Sequence, residues 1–98
     1  MIVVTSRIRV IEGDPESLAA QYRARLHRAE EAAGCLGVEV LRNLERPSEF
    51  VVVSRWEGLS SYQAYRRAAA FREAHRRIPA GLRVDREERA TDAWERIS

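Results

Sequence analysis

The chain has no lysine, a single cysteine, two histidines, three prolines and five glycines in 98 residues, and each shortage removes a class of protein. One cysteine, Cys35, excludes an internal disulfide, and with only His27 and His75 to join it there is no thiolate-rich zinc site. A reducing cytoplasm suits such a chain. No apolar run approaches the length of a membrane span. The opening "MIVVTSRIRV" is broken by Thr5, Ser6 and Arg7 and is followed by no small-residue cleavage signal. The sparse glycines form neither a phosphate-binding loop nor a G-x-G-x-x-G turn after a strand, which argues against a nucleotide or flavin held in the Rossmann manner. There is no HExxH motif and no serine in a G-x-S-x-G elbow, so hydrolase chemistry has no visible support. The pI near 9.2 would suit nucleic acid, but all 17 basic residues are arginines offset by 15 acids, for a net charge of only +2. Single-strand and helix-turn-helix signatures and a platform of stacking aromatics are also missing. Neither nucleic acid nor a membrane is expected as a partner.

The residues that are present suffice for one folded domain spanning residues 1–98, since 45% hydrophobic and 33% charged residues place the chain among globular proteins rather than disordered ones. "IVVTSRIRV" alternates, placing Val4, Ser6, Ile8 and Val10 on one face and Thr5, Arg7 and Arg9 on the other, as in a half-buried strand. The next segment has Asp14 as N-cap and Pro15 at the first helical position. It carries Leu18, Tyr22, Leu26, Ala29 and Ala33 as a stripe and stops at Gly34, which predicts one amphipathic helix. "CLGVEVLRNL" and "EFVVVSRWE" flank "ERPS" and read as a hairpin turning at Pro47 and Ser48. Residues 59–78 read as a second helical region entered through Ser60 or Ser61, "PAGLRVDREERA" as a long surface connection, and "ATDAWERI" as a last strand.

The order βαββαβ is that of an α+β, ferredoxin-like domain, an antiparallel sheet with helices on one face. Phe50, Val51, Val52 and Val53 are apolar on both sides of the third strand, so the face away from the helices needs a cover. A homodimer joined through the sheets would supply it.

Within "AYRRAAAFREAHRRI", His75 follows Phe71 by four residues and precedes Ile78 by three, so the three share a helical face while Arg72, Arg76 and Arg77 point away. An inward histidine is either a packed residue with a hydrogen-bond partner or a ligand or acid/base group at a cavity. The stretch itself leaves both open, packing being the simpler reading.

The combination of "GCLGVEVLRN" with "EFVVVSRWEGLSSYQAYRRAAAFREAHRRI" resembles the antibiotic biosynthesis monooxygenase family, and the resemblance runs from the first strand to Trp94. It implies a homodimeric α+β barrel with a cavity between sheet and helices in each protomer. The chain is most similar to the IsdG-type heme-degrading monooxygenases, and this implies heme as substrate and cofactor, His75 as the ligand of the heme iron, and an external electron donor. The asparagine and tryptophan that line the pocket in those enzymes fall on Ser6 and Tyr65, so two of three positions differ. Ser6 still offers one hydroxyl, though it reaches less far than asparagine. Phe71, Tyr65 and Trp56 would supply an apolar wall, with core packing the alternative role for Phe71 and Trp56. Arg25, or the group Arg66, Arg67, Arg72, Arg76 and Arg77, would hold propionates. His27 reads as a surface residue.

Tyr65 and His75 are ten residues apart, about 15 Å along one straight helix and on different faces. They share a pocket only if the helical region breaks between them. The resemblance implies such a break, while "RRAAAF" has no glycine, proline or good N-cap to force it. Two other functions fit the same fold: a cofactor-independent monooxygenase of quinols or polyphenols, with His75 or Tyr65 as acid/base or hydrogen-bonding groups, and a non-catalytic dimer binding a small aromatic ligand.

Overall fold

The computed structural model describes residues 1–24, 28–68, 81–85 and 91–98. Strand β1, Ile2–Glu12, shows the alternation read from the sequence, with Val4, Ile8 and Val10 buried and Arg7 and Arg9 exposed. Helix α1, Pro15–Ala24, starts where expected: the Asp14 carboxylate accepts the Glu16 N–H at 3.0 Å, and Pro15 has no N–H to satisfy. The helix is shorter than predicted. After Ala24 the next described element is a 3-10 turn, Arg28–Glu31, and the tighter winding changes the phase of the stripe: Ala32 packs inward while Ala33 is exposed. Gly34, at φ +82, ends the segment as predicted. A side chain there would also collide with Ser61, so the glycine lets the second helix approach.

Strands β2, Cys35–Arg42, and β3, Glu49–Trp56, form the expected hairpin. Its turn is made by Pro47 and Ser48 as expected, with the Glu49 N–H donating to the Arg46 carbonyl at 2.9 Å, and Asn43 braces the start of the connection, its side-chain oxygen accepting the N–H groups of Glu45 and Arg46 at 2.9 and 2.8 Å. Helix α2, Leu59–Arg67, begins after Gly58 with no side-chain cap, so Ser60 and Ser61 lie inside its first turn instead of opening it. It ends at Ala68, whose backbone is extended at ψ 148. The region is therefore not one helix from 59 to 78, and the break implied by the family resemblance is present at Ala68. Residues 69–80 lie outside the described residues.

The expected surface connection contains a short strand, β4, Arg83–Asp85. Leu82 and Val84 pack on the core and Val84 pairs with Val10, and a three-residue strand leaves too little alternation to be read from sequence. Strand β5, Thr91–Glu95, is the predicted last strand.

The sheet order is β2-β3-β1-β4, with β5 also on β1. β4 pairs with the Arg9–Glu12 end of β1 and β5 with its Ile2–Ser6 end, so two short strands share one edge. Every pairing among the described residues is antiparallel. Both helices cover the same face, giving the ferredoxin-like α+β fold. The core on that face is in two parts. Leu18 and Ala19 of α1 pack on Ile8, Val10 and Phe50, whereas Tyr62 of α2 packs on Val4 and the fully buried Trp56.

Candidate functional site

Between the two parts of the core, the register lines up one row of helix-face residues across four strands: Val40, Val52, Ser6 and Thr91. Successive strands lie about 4.8 Å apart, so the row spans roughly 14 Å. The neighbouring row runs Val38, Ser54, Val4 and Ala93. The α1 side of this floor is Phe50 and Ile8, and its α2 side is Trp56. The result is a largely apolar floor with a hydroxyl pair, Ser6 and Thr91, on β1 and β5 and a further hydroxyl, Ser54, on β3.

Ser6 lies half-buried on this floor, on the face predicted for it, and its hydroxyl is 3.2 Å from that of Thr91, where either can donate. A hydroxyl has one proton and two acceptor positions, so the pair keeps one donor and spare acceptor capacity for a third group. Thr91 did not emerge from the sequence, because its relevance depends on β5 pairing with β1 across 85 residues. Ser54 accepts the Trp56 indole N–H at 2.9 Å.

Tyr65 reaches the same side of the sheet from the last turn of α2. It is half-buried, with its ring 5.2 Å from that of Trp56 at 33°. Trp56 itself has no exposed surface and also meets Tyr62 at 5.6 Å. Its place is that of a packing residue supporting Tyr65, the core role that aromatic stripes commonly have. Burial pushes the Tyr62 phenol up from its ordinary range, with Arg66 opposing, so it stays protonated at neutral pH. Cys35 borders this cluster, and burial likewise raises its thiol, which makes it a poor nucleophile. Ser6, Tyr65 and Trp56 are thus brought to one side of the sheet. Arg25, Phe71 and His75, like His27, lie outside the described residues.

On the α1 side the floor opens into a cavity of about 250 Å³ against the β2 edge, bordered among the described residues by Tyr22, Val38, Val40 and Phe50 and by Arg23 and Arg42. These two arginines hold Glu16 between them, each at 2.9 Å, and Arg42 first, then Arg23, draws the Glu16 carboxyl below its ordinary range. The sequence pointed to basic groups on the helices, whereas Arg42 stands at the end of a strand and gave no such signal. No group of three or more metal-ligating side chains occurs among the described residues. No described helix is long and apolar enough to cross a membrane.

The solved structures similar to this fold include SnoaB, a cofactor-independent oxygenase from Streptomyces nogalater. It has a TM-score of 0.75 and 11% identity over 99% of this chain and 93% of that one. They also include a point mutant of MhuD with two manganese protoporphyrin IX bound per active site, with a TM-score of 0.74 and 23% identity over 100% and 96% of the two chains. At such identities these likenesses establish the fold. In sequence, a heme-degrading monooxygenase of Halalkalibacterium halodurans is 31% identical over 83 residues, covering 81% of this chain and 71% of that protein. The family model described as antibiotic biosynthesis monooxygenase matches residues 1–77, which takes in β1, both helices, the hairpin and the floor residues from Ser6 to Val52. The chain belongs to the antibiotic biosynthesis monooxygenase family.

Proposed function

We infer that the protein is a monooxygenase whose substrate is heme, bound between the helices and the sheet and opened oxidatively with release of iron. The observation that carries this reading is the floor: a row four strands and roughly 14 Å wide, wide enough for a macrocycle, apolar on β2 and β3 and ending in a hydroxyl pair on β1 and β5. The heme-degrading relative at 31% identity supports it. The residues present fit the group. Val38, Val40 and Val52 offer an apolar bed, Tyr65 an aromatic wall, and Arg42 and Arg23 carboxylate partners. His75 is assigned as the iron ligand and Arg25 and Phe71 as further contacts. Bound heme would supply an iron able to engage oxygen, with electrons from an external donor. The chain's own part is to exclude water from the apolar floor and to offer the Ser6 and Thr91 hydroxyls to a polar atom of the bound ligand.

A homodimer belongs to the same reading. On the face away from the helices, Val3, Val51 and Val53 are half-buried, and Leu41 and Trp94 are 47% and 56% exposed. The Arg55 and Glu39 charges on this face are paired with each other at 2.6 Å. A second copy would cover these apolar side chains. A dimer is expected in sedimentation at micromolar concentration, and a monomer would remove this part of the proposal.

The fold likeness to a cofactor-independent oxygenase favours a second reading, oxidation of a quinol or polyphenol with no cofactor. Heme titration of the purified protein, followed optically, separates the two. The expected result is a Soret band saturating at stoichiometric heme, lost on adding oxygen and a reductant with catalase present, and abolished or strongly shifted in His75→Ala. No saturable band, together with heme-independent oxygen uptake on adding a hydroquinone, would overturn the heme reading in favour of the second.

A further inference from the structure

The cavity between α1 and the β2 edge contains the Arg23 and Arg42 pair named above as carboxylate partners, and its charge arrangement deepens that part of the reading. Its walls are apolar: Val38, Val40 and Phe50 from the sheet, Ala19 and Tyr22 from the helix. Its polar border is Arg23, Arg42 and Glu39, and Glu39 is committed to Arg55. That leaves two guanidinium groups facing one carboxylate, Glu16, which takes a single nitrogen from each. The local balance among the described residues is one positive charge in excess.

Arg42 is the more constrained of the two. Its Nη1 donates to Glu16, its guanidinium carbon lies 5.1 Å from the centre of the Phe50 ring, and its Nη2 is shielded from solvent without a hydrogen-bond acceptor among the described residues. A shielded cationic N–H without an acceptor is costly, and it is retained here by the Glu16 contact and the Phe50 face. Such a group is pre-organised for a second acceptor. A guanidinium presents its donors as a planar fork that matches a carboxylate, and a flat apolar wall beside it selects what the carboxylate is attached to.

We propose that this cavity binds the carboxylate end of a planar apolar acid, with Arg42 and Arg23 taking the carboxylate and Tyr22, Val40 and Phe50 taking the apolar body. Glu16 then stands in for the ligand's carboxylate, keeping the two arginines in place until an acid joins or displaces it. The chemistry is shared by a porphyrin propionate and by a free aromatic acid, and it holds whichever of the two functional readings is correct.

The test is calorimetric titration with 2-naphthoate and with 2-naphthamide, which differ only in the charge of the head group. The acid is expected to bind about tenfold more tightly than the amide, the loss of one charge-assisted contact. Arg42→Gln should lower the affinity for the acid by about tenfold, and Arg23→Gln, at a side chain 71% exposed and therefore safe for folding, should lower it by a smaller factor. Glu16→Gln should raise it, because both guanidiniums lose their internal partner. A purely structural role for these residues predicts no such gain. Arg7→Gln, on the opposite face of the sheet, should leave it unchanged. Equal affinity for acid and amide, no binding of either, or a Glu16→Gln variant that binds the acid no better would each overturn the proposal. Iron protoporphyrin and its dimethyl ester identify the source. Competition between naphthoate and porphyrin, with weaker binding of the ester, supports the cavity as the propionate end of the heme site. Binding of naphthoate without competition, or in a protein that takes no porphyrin, supports a free acid in the same cavity and separates a failed heme reading from a failed cavity.

Discussion

The two halves of the helix-covered face are built differently. The α2 half is an aromatic stack, Tyr62, Trp56 and Tyr65, closed around an indole with no exposed surface. The α1 half joins aliphatic side chains to Phe50 and Tyr22 and leaves a cavity rimmed by charge. Packing density and site-building compete for the same surface, and this domain assigns them to opposite ends of one sheet. The α2 half holds the sheet and its helix together. The α1 half gives up part of its packing to a concave, partly polar opening.

The contrast can be broken most directly at Trp56. Trp56→Ala removes the whole centre of the closed half and should cost about 3 to 5 kcal/mol in urea unfolding, enough to leave little folded protein in a domain of this size. Tyr22→Ala, in the open half, removes a half-buried ring 6.1 Å from Phe50 and should cost about 1 to 2 kcal/mol. Equal losses in the two variants would show that the halves do not differ in packing as described. Asn43→Ala tests the hairpin that carries β2, the edge of the open half. Two backbone N–H groups lose their acceptor, and the unfolding midpoint should fall by an amount equivalent to about 1 kcal/mol, with the slope of the transition unchanged.

The smallest effect expected is electrostatic and confined to the open half and the hairpin. Arg42 and Arg23 hold the Glu16 carboxyl below its ordinary range, and Arg46 does the same to Glu49 at 2.6 Å. A carboxyl whose folded value is depressed adds stability above its unfolded value, near about 4.3, and loses it as pH falls through the lower folded value. Urea midpoints should therefore decline between about pH 5 and pH 3. The decline should be shallower in Glu16→Gln. Glu16 is solvent-exposed and Glu49 partly so, and added salt should therefore flatten the curve as well. An acid profile identical in the Glu16→Gln variant would show that the Glu16 ion pairs contribute nothing measurable. Alkylation of Cys35 gives a complementary reading on the closed half: its raised thiol should react with iodoacetamide more slowly at about pH 7 than a free thiol does, and faster after unfolding.

The fold was largely legible in the sequence because its strong signals are local. Alternation in β1, Asp14 and Pro15 at the start of α1, and the two β-rich runs of the hairpin each depend on neighbours a few residues away. The misreadings fall where local pattern is weak or is overruled. β4 is too short to alternate, and α2 starts without a capping side chain and stops at Ala68 without a helix breaker. The placement of Ser6 on the helix face and of Tyr65 on the same side of the sheet was accessible from periodicity and family resemblance. Thr91 and Arg42 were not, because each acquires its meaning from a partner distant in sequence, Ser6 in one case and Glu16 in the other.

The sharing of β1 between β4 and β5 also bears on the cost of assembly. Hairpin and helix contacts are separated by short stretches of chain, whereas the Ser6 hydroxyl waits for a partner 85 residues downstream. Closing so long a loop is the slow, entropically expensive part of building such a sheet. The hydroxyl end of the floor is therefore the part of the pocket with the largest loop-closure cost.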